Sequence, residues 1–117
     1  MSTITPSRPE APDMTLVRWR TFEAPTGERY VVGYAPQVQR ERVTPALVEL
    51  DARTLCATSS CGRVYRLDGA PDEGSTATYV WTWFAAQSRM QTWRDSTRDV
   101  WDAHERAAAR PAGSAQP

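Results

Sequence analysis

Residues Met14–Glu23 read MTLVRWRTFE. Apolar and polar side chains alternate, so that Thr15, Val17, Trp19 and Thr21 share one face and Leu16, Arg18, Arg20 and Phe22 the other. A period of two is the repeat of an extended strand, whose successive side chains point to opposite faces. The connector Ala24–Glu28 (APTGE) carries Pro25 and Gly27, a turn composition, and Arg29–Ala35 (RYVVGYA) is rich in β-branched and aromatic residues. The two segments predict a hairpin, and with it a chain that begins as a β-sheet.

The same signals continue as far as residue 68. A third strand is expected at Ala46–Leu50, with Pro45 at its start, where proline is tolerated. Thr54–Ser60 and Arg63–Leu67 then predict a second hairpin, turning at Cys61-Gly62 with Ser60 opposite Arg63 and Thr58 opposite Tyr65. After the Gly-, Pro- and acid-rich stretch DGAPDEGS (Asp68–Ser75) the character changes. Ser75–Arg110 contains neither glycine nor proline and is built of helix formers, with Ser75 or Thr76 as N-cap. One helix of about 35 residues exceeds the usual globular length, so a break is expected at Asp95-Ser96, where Ser96 and Asp99 resemble a capping box. Asp95/Arg98, Arg98/Asp102 and Asp102/Arg106 stand at helical-neighbour spacing. The fold class predicted is α+β: a small antiparallel sheet of four to five strands in two hairpins, followed by one long or broken C-terminal helix packed on one face. One domain spans residues 14–110, strands over 14–68 and helix over 75–110, between disordered tails at 1–13 and 111–117.

The chain has 117 residues, enough for one domain with one modest core. Fourteen acidic side chains balance fourteen basic ones, so no bulk field favours nucleic acid or anionic lipid. No apolar run approaches the roughly 20 residues that span a bilayer. The start, MSTITPSRPEAPD, has neither the charged beginning nor the apolar middle of a secretory signal, which predicts a cytoplasmic protein.

Conventional chemistry is scarce. Cys56 and Cys61 would lie several rungs apart in the second hairpin, too far for an intramolecular disulfide. A C-x4-C spacing with His104 as the sole histidine lacks the four ligands of a structural zinc site. The acidic pairs Asp72/Glu73 and Asp99/Asp102 read as solvated surface rather than acid–base machinery, and His104 as a structural residue. No enzymatic activity, cofactor or metal is expected.

The order of segments carries a resemblance. Arg42-Val43-Thr44-Pro45 precedes a strand, SCGRVYRLDGAP (Ser60–Pro71) follows, and then Tyr79-Val80-Trp81 with Phe84 three positions on. This resembles a group of short, largely uncharacterised proteins of bacteriophages and other mobile elements, in which an "SPxV" strand, an "SGRxYxLxGxP" hairpin and a "YVWxxW" helix start succeed one another. The similarity covers residues 14–85 and departs from the pattern at Cys61 (serine there) and Phe84 (tryptophan there). It implies a small α+β domain in a mobile-element setting.

On a helical wheel Ala77, Val80, Trp81 and Phe84 gather on one side of the helix, the side expected to dock on the sheet. A second stripe runs through Tyr79, Trp83, Ala86, Met90, Trp93, Thr97 and Val100, flanked by Trp101. It is more apolar surface than a small sheet covers, so either the second half of the helix folds back at Asp95 and packs on the first half or on the sheet, or two copies pair, or a foreign protein docks. Tyr79, Trp83, Met90, Trp93, Val100 and Trp101 are therefore the expected partner-binding residues, the partner being a host protein or a second copy in a homodimer through the C-terminal helix. The function predicted is a non-enzymatic interaction protein of a mobile element that blocks a host protein, in its sharpest form an anti-CRISPR-like defence inhibitor. The alternative is a nucleic-acid-binding face made of Arg18, Trp19, Arg20, Arg29 and Tyr30, against which the zero net charge weighs.

Overall fold

The computed structural model describes residues 12–109. The elements run β1 (Met14–Glu23), β2 (Arg29–Ala35), β3 (Arg40–Val43), β4 (Leu47–Asp51), β5 (Cys56–Ser59), β6 (Val64–Asp68), α1 (Thr76–Gln87), β7 (Arg94–Asp95) and α2 (Thr97–Ala109). The α+β class and the C-terminal position of the helices are as expected. The open antiparallel sheet of four to five strands is not. Seven strands form among the described residues in the order β3-β2-β4-β5-β6-β1-β7, and the further pairing of β1 with β2 closes β1, β2, β4, β5 and β6 into a barrel. The tails expected at 1–13 and 111–117 lie outside the described residues except for Pro12 and Asp13. Asp13 is tied to β6, its amide donating to the Val64 carbonyl at 2.9 Å and its carboxylate accepting from the Val64 amide at 2.8 Å.

Closure depends on β1, which is ten residues long and changes neighbours midway. Met14–Val17 pair in parallel with Tyr65–Asp68 of β6, whereas Phe22 and Glu23 pair with Asp95 and Arg94 of β7. Between them the register against β2 shifts from Val17 to Arg20, and Arg18 adopts φ +49°. An irregularity of this kind re-aims the side chains that follow it. It corrects the alternation expected for MTLVRWRTFE: Leu16 and Trp19, assigned to opposite faces, both enter the barrel and are fully buried. The backbone of β2 lies close to this bend, since a Cβ on Gly33 would stand 3.0 Å from the Leu16 Cβ and 3.1 Å from the Val17 carbonyl oxygen.

Beyond the bend β1 is covered on both sides, as is β2. The barrel interior holds Leu16, Trp19, Val31, Ala57, Tyr65 and Leu67, with Val100 of α2 reaching in. The outer layer joins Phe22 and Val32 to Ala77, Trp81 and Ala85 of α1. Each large apolar side chain fully buried in this way stabilises the fold by about 1.5–3 kcal/mol.

The second hairpin forms with its register moved by one. Thr58 pairs with Val64 and Ala57 with Tyr65, and the Ser59 amide donates to the Arg63 carbonyl at 2.9 Å. The loop is therefore Ser60-Cys61-Gly62 rather than a two-residue turn. Gly62 takes the left-handed position at φ +90°, which suits the residue that closes a three-residue hairpin loop.

The C-terminal region is two helices. α1 ends at Gln87, and the Arg89 amide donates to the Ala86 carbonyl while the Met90 amide donates to that of Ala85. This is the paired 5→2 and 6→1 pattern that terminates helices through a left-handed residue, here Arg89 at φ +60° in the place usually taken by glycine. α2 begins at Thr97, directly after the expected break. The capping differs from the box foreseen there: Asp95 Oδ1 accepts from the Thr97 amide at 3.0 Å, while the Ser96 hydroxyl meets that of Thr21 at 2.6 Å and Asp99 accepts from Arg94. The spaced pairs Asp95/Arg98, Arg98/Asp102 and Asp102/Arg106 form no ion pairs. Those present among the described residues are Arg20–Asp95, Arg94–Glu23 and Arg94–Asp99.

Candidate partner-binding surface

Six residues were expected on one partner-binding stripe, and the fold separates them. Trp81 stacks on Phe22 with ring centroids 4.7 Å apart and planes 1° from parallel, so the inward line of α1 is set by Ala77, Trp81 and Ala85. At about 100° per residue the opposite line is Thr76, Tyr79, Thr82, Trp83, Ala86 and Gln87; all six are exposed. Tyr79 and Trp83 remain 72% and 60% accessible. The other four expected residues turn inward because the chain reverses at Arg89. Met90 and Trp93 pack on the outer layer, Trp93 edge-on to Trp81 at 6.0 Å. Val100 is buried at the barrel end, and Trp101 meets Trp19 edge-to-face at 6.1 Å. Of the six expected residues, Tyr79 and Trp83, one helical turn apart, are the two left largely exposed.

The Arg/aromatic set is not brought onto one open face either. Trp19 is fully buried, its indole N–H donating to the Gly69 carbonyl at 3.0 Å, which removes the base-stacking surface expected of it. Arg20 is held by Asp95 and by the Asp72 carbonyl, joining the two segments that flank α1. Tyr30 leans on Trp81 and Phe84 in the outer layer, and Arg29 is half-buried. Arg18 is exposed, with its guanidinium 5.1 Å from the Tyr34 ring centre.

His104 and Asp72 are engaged within the fold. His104 Nδ1 donates to the Ala52 carbonyl at 3.0 Å and pins α2 to the β4–β5 turn. Asp72 spends both oxygens at the start of α1, accepting from the Gly74 and Ala77 amides. Cys56 and Cys61 are free thiols; Ser59, 3.1 Å from Cys61 Sγ, holds that exposed thiol below its usual pKa. A cleft of about 520 Å³ between the β6–α1 loop and α2 is lined by Arg20, Glu73, Arg98, Trp101, Asp102 and Glu105 among others. Among the described residues no group of three or more His, Cys, Asp or Glu could hold a metal ion, and no helix is long and apolar enough to cross a membrane.

Periodicity did not distinguish the exposed pair from the four that pack inward, of which Val100 is buried and Met90, Trp93 and Trp101 are half-buried. The signal was the absence of charge: Thr76–Gln87 (TATYVWTWFAAQ) has no charged residue on any face. Comparison with protein-family models, curated proteins and solved structures finds no match.

Proposed function

We propose that this chain is a small non-enzymatic interaction protein that binds a host protein and blocks one of its working surfaces. The observation that carries the reading is the outward face of α1, where Tyr79 and Trp83 stand in solvent on a helix without charge. Rigid aromatic side chains of this kind bury about 150–250 Å² each, and tyrosine and tryptophan dominate interface hot spots. Both sit on a helix held rigidly by the Trp81–Phe22 stack, so little conformational freedom is lost on docking. A mobile-element origin is supported by the resemblance of Ser60–Pro71 and Tyr79–Phe84 to proteins of phages and other mobile elements, a group with no established activity. The narrower role of an anti-CRISPR-like defence inhibitor rests on that setting together with the small size and the exposed aromatic pair.

The test is plating efficiency of a targeted phage on a CRISPR-immune bacterium expressing the chain, together with cross-linking in the same cells. Wild type is expected to restore plating and to cross-link to one host protein in stoichiometric yield, and Trp83→Glu to lose both. Cross-linking without restored plating would remove the defence role and keep the interaction. Equal behaviour of wild type and Trp83→Glu in both assays would overturn the reading.

A further inference from the structure

The outward face of α1 is complementary to itself. We infer that, in the absence of its host target, this face is covered by the α1 of a second copy, the two helices running antiparallel about a two-fold axis level with residue 81. The inference rests on reading this face as a docking surface and deepens it by naming an occupant and a register.

The stripe Thr76, Tyr79, Trp83, Ala86 follows the 3–4–3 spacing of a helix-pairing seam. In an antiparallel pair each position of one type faces the other type, so the axis at residue 81 sets Tyr79 against the second copy's Trp83, and Thr76 against its Ala86. Large rings then meet at the centre and small side chains at the ends, where helix backbones can approach to about 8–10 Å. Thr76 to Ala86 spans about 15 Å of helix axis at 1.5 Å per residue. Four central rings bring several hundred Å² out of water, which places the pair at the low end of specific interfaces, the size of weak and transient encounters.

Charge selects this partner and this direction. Within α1 no charged side chain opposes the approach of an identical helix. The residues flanking the helix carry opposite signs: Glu73 precedes it, bordering the cleft that Arg20 and Arg98 also line, and Arg89 follows it, bordering one that Glu28 also lines. Both are exposed, and neither forms an ion pair among the described residues. An antiparallel copy brings the acidic start of one helix to the basic end of the other, twice, and also opposes the two helix dipoles. A parallel copy would set like charge on like charge.

The test is molecular mass against concentration by sedimentation equilibrium on the full chain, spanning about 1–500 μM, the range of a weak interface. Wild type is expected to pass from one chain to two. Trp83→Glu should weaken association at least about tenfold. Glu73→Arg and Arg89→Glu alone should each weaken it about three- to tenfold, while the double swap returns it to within about twofold of wild type. All four variants change exposed residues, and unaltered circular dichroism verifies their fold. A single-chain mass throughout, or a dimer indifferent to Trp83→Glu, overturns the inference. Failure of the double swap to recover association overturns the antiparallel register. A monomer that still cross-links to a host protein through Trp83 refutes self-pairing and leaves the proposed function standing; a dimer with no host target does the reverse.

Discussion

Two helices lie against this barrel, and their outer surfaces are built on different terms. α2 turns Val100 and Trp101 inward and presents Arg98, Asp99, Glu105 and Arg106 to water. α1 turns Ala77, Trp81 and Ala85 inward and presents Tyr79 and Trp83. A charged face gains its hydration by staying in water. An aromatic face leaves apolar area there at about 25 cal/mol per Å² that burial would recover. The surface of α2 is complete as it stands, whereas that of α1 has a favourable use still ahead of it. The difference separates a helix with a charged outer face from one with an aromatic outer face, the first closing the barrel interior and the second the outer layer.

Substitutions can break or sharpen that contrast. The largest effect is expected on the inward line of α1: Trp81→Ala removes a fully buried ring stacked on Phe22 and should cost about 3–5 kcal/mol, read from the urea midpoint. Next is the start of α2. Asp95→Asn weakens the link to Arg20 and the cap on Thr97, and about 1 kcal/mol should be lost. Burial pushes the Asp95 carboxyl up, but hydrogen bonds from Thr97 and Arg20 outweigh it and hold the group below its usual pKa. A carboxyl depressed in the folded state stabilises above its unfolded pKa and loses that contribution as pH falls through the folded one. Wild type should therefore weaken below about pH 4, and Asp95→Asn should flatten that limb of the stability–pH curve.

A smaller change of opposite sign is expected where α1 ends. Arg89→Gly relieves a left-handed non-glycine residue and should raise stability by about 0.5 kcal/mol, less than the strain itself because glycine also frees the unfolded chain. The smallest effect belongs to the outward line. Trp83→Ser should leave the stability of the single chain within about 0.5 kcal/mol of wild type. A loss above about 1 kcal/mol there, measured at a concentration where the chain is monomeric, would mean that the two faces of α1 are not distinct.

Local pattern carried the hairpins and hid the closure. The bounds of β1 and β2 were legible because alternation and the Pro25/Gly27 turn act over neighbouring residues. The start of α2 was legible for the same reason at Asp95-Ser96. The barrel was not, since the parallel pairing of Met14–Val17 with β6 and the bend at Arg18 depend on strands that meet only in the fold. β3 reads RERV and β7 is two residues long, so neither has a periodic signature of its own. The reversal after α1 escaped because arginine, not glycine, takes the left-handed position. That last point decided the candidate surface: with the helix continuous, Tyr79, Trp83, Met90 and Trp93 form one stripe, and with it reversed the last two fold back against the outer layer.

The seam between β1 and β6 joins stretches about fifty positions apart, as Asp13 and Val64 are. Ordering so long an intervening segment is entropically costly before the pairing repays it, and domains dominated by distant pairings fold in milliseconds to seconds. Until Leu67 has been made, Leu16 and Trp19 can pack on Val31 and Ala35 of their own hairpin but lack the β6 side of their cluster. A nascent chain halted before that point should bind chaperones that hold exposed apolar segments, and one extended through α2 should release them.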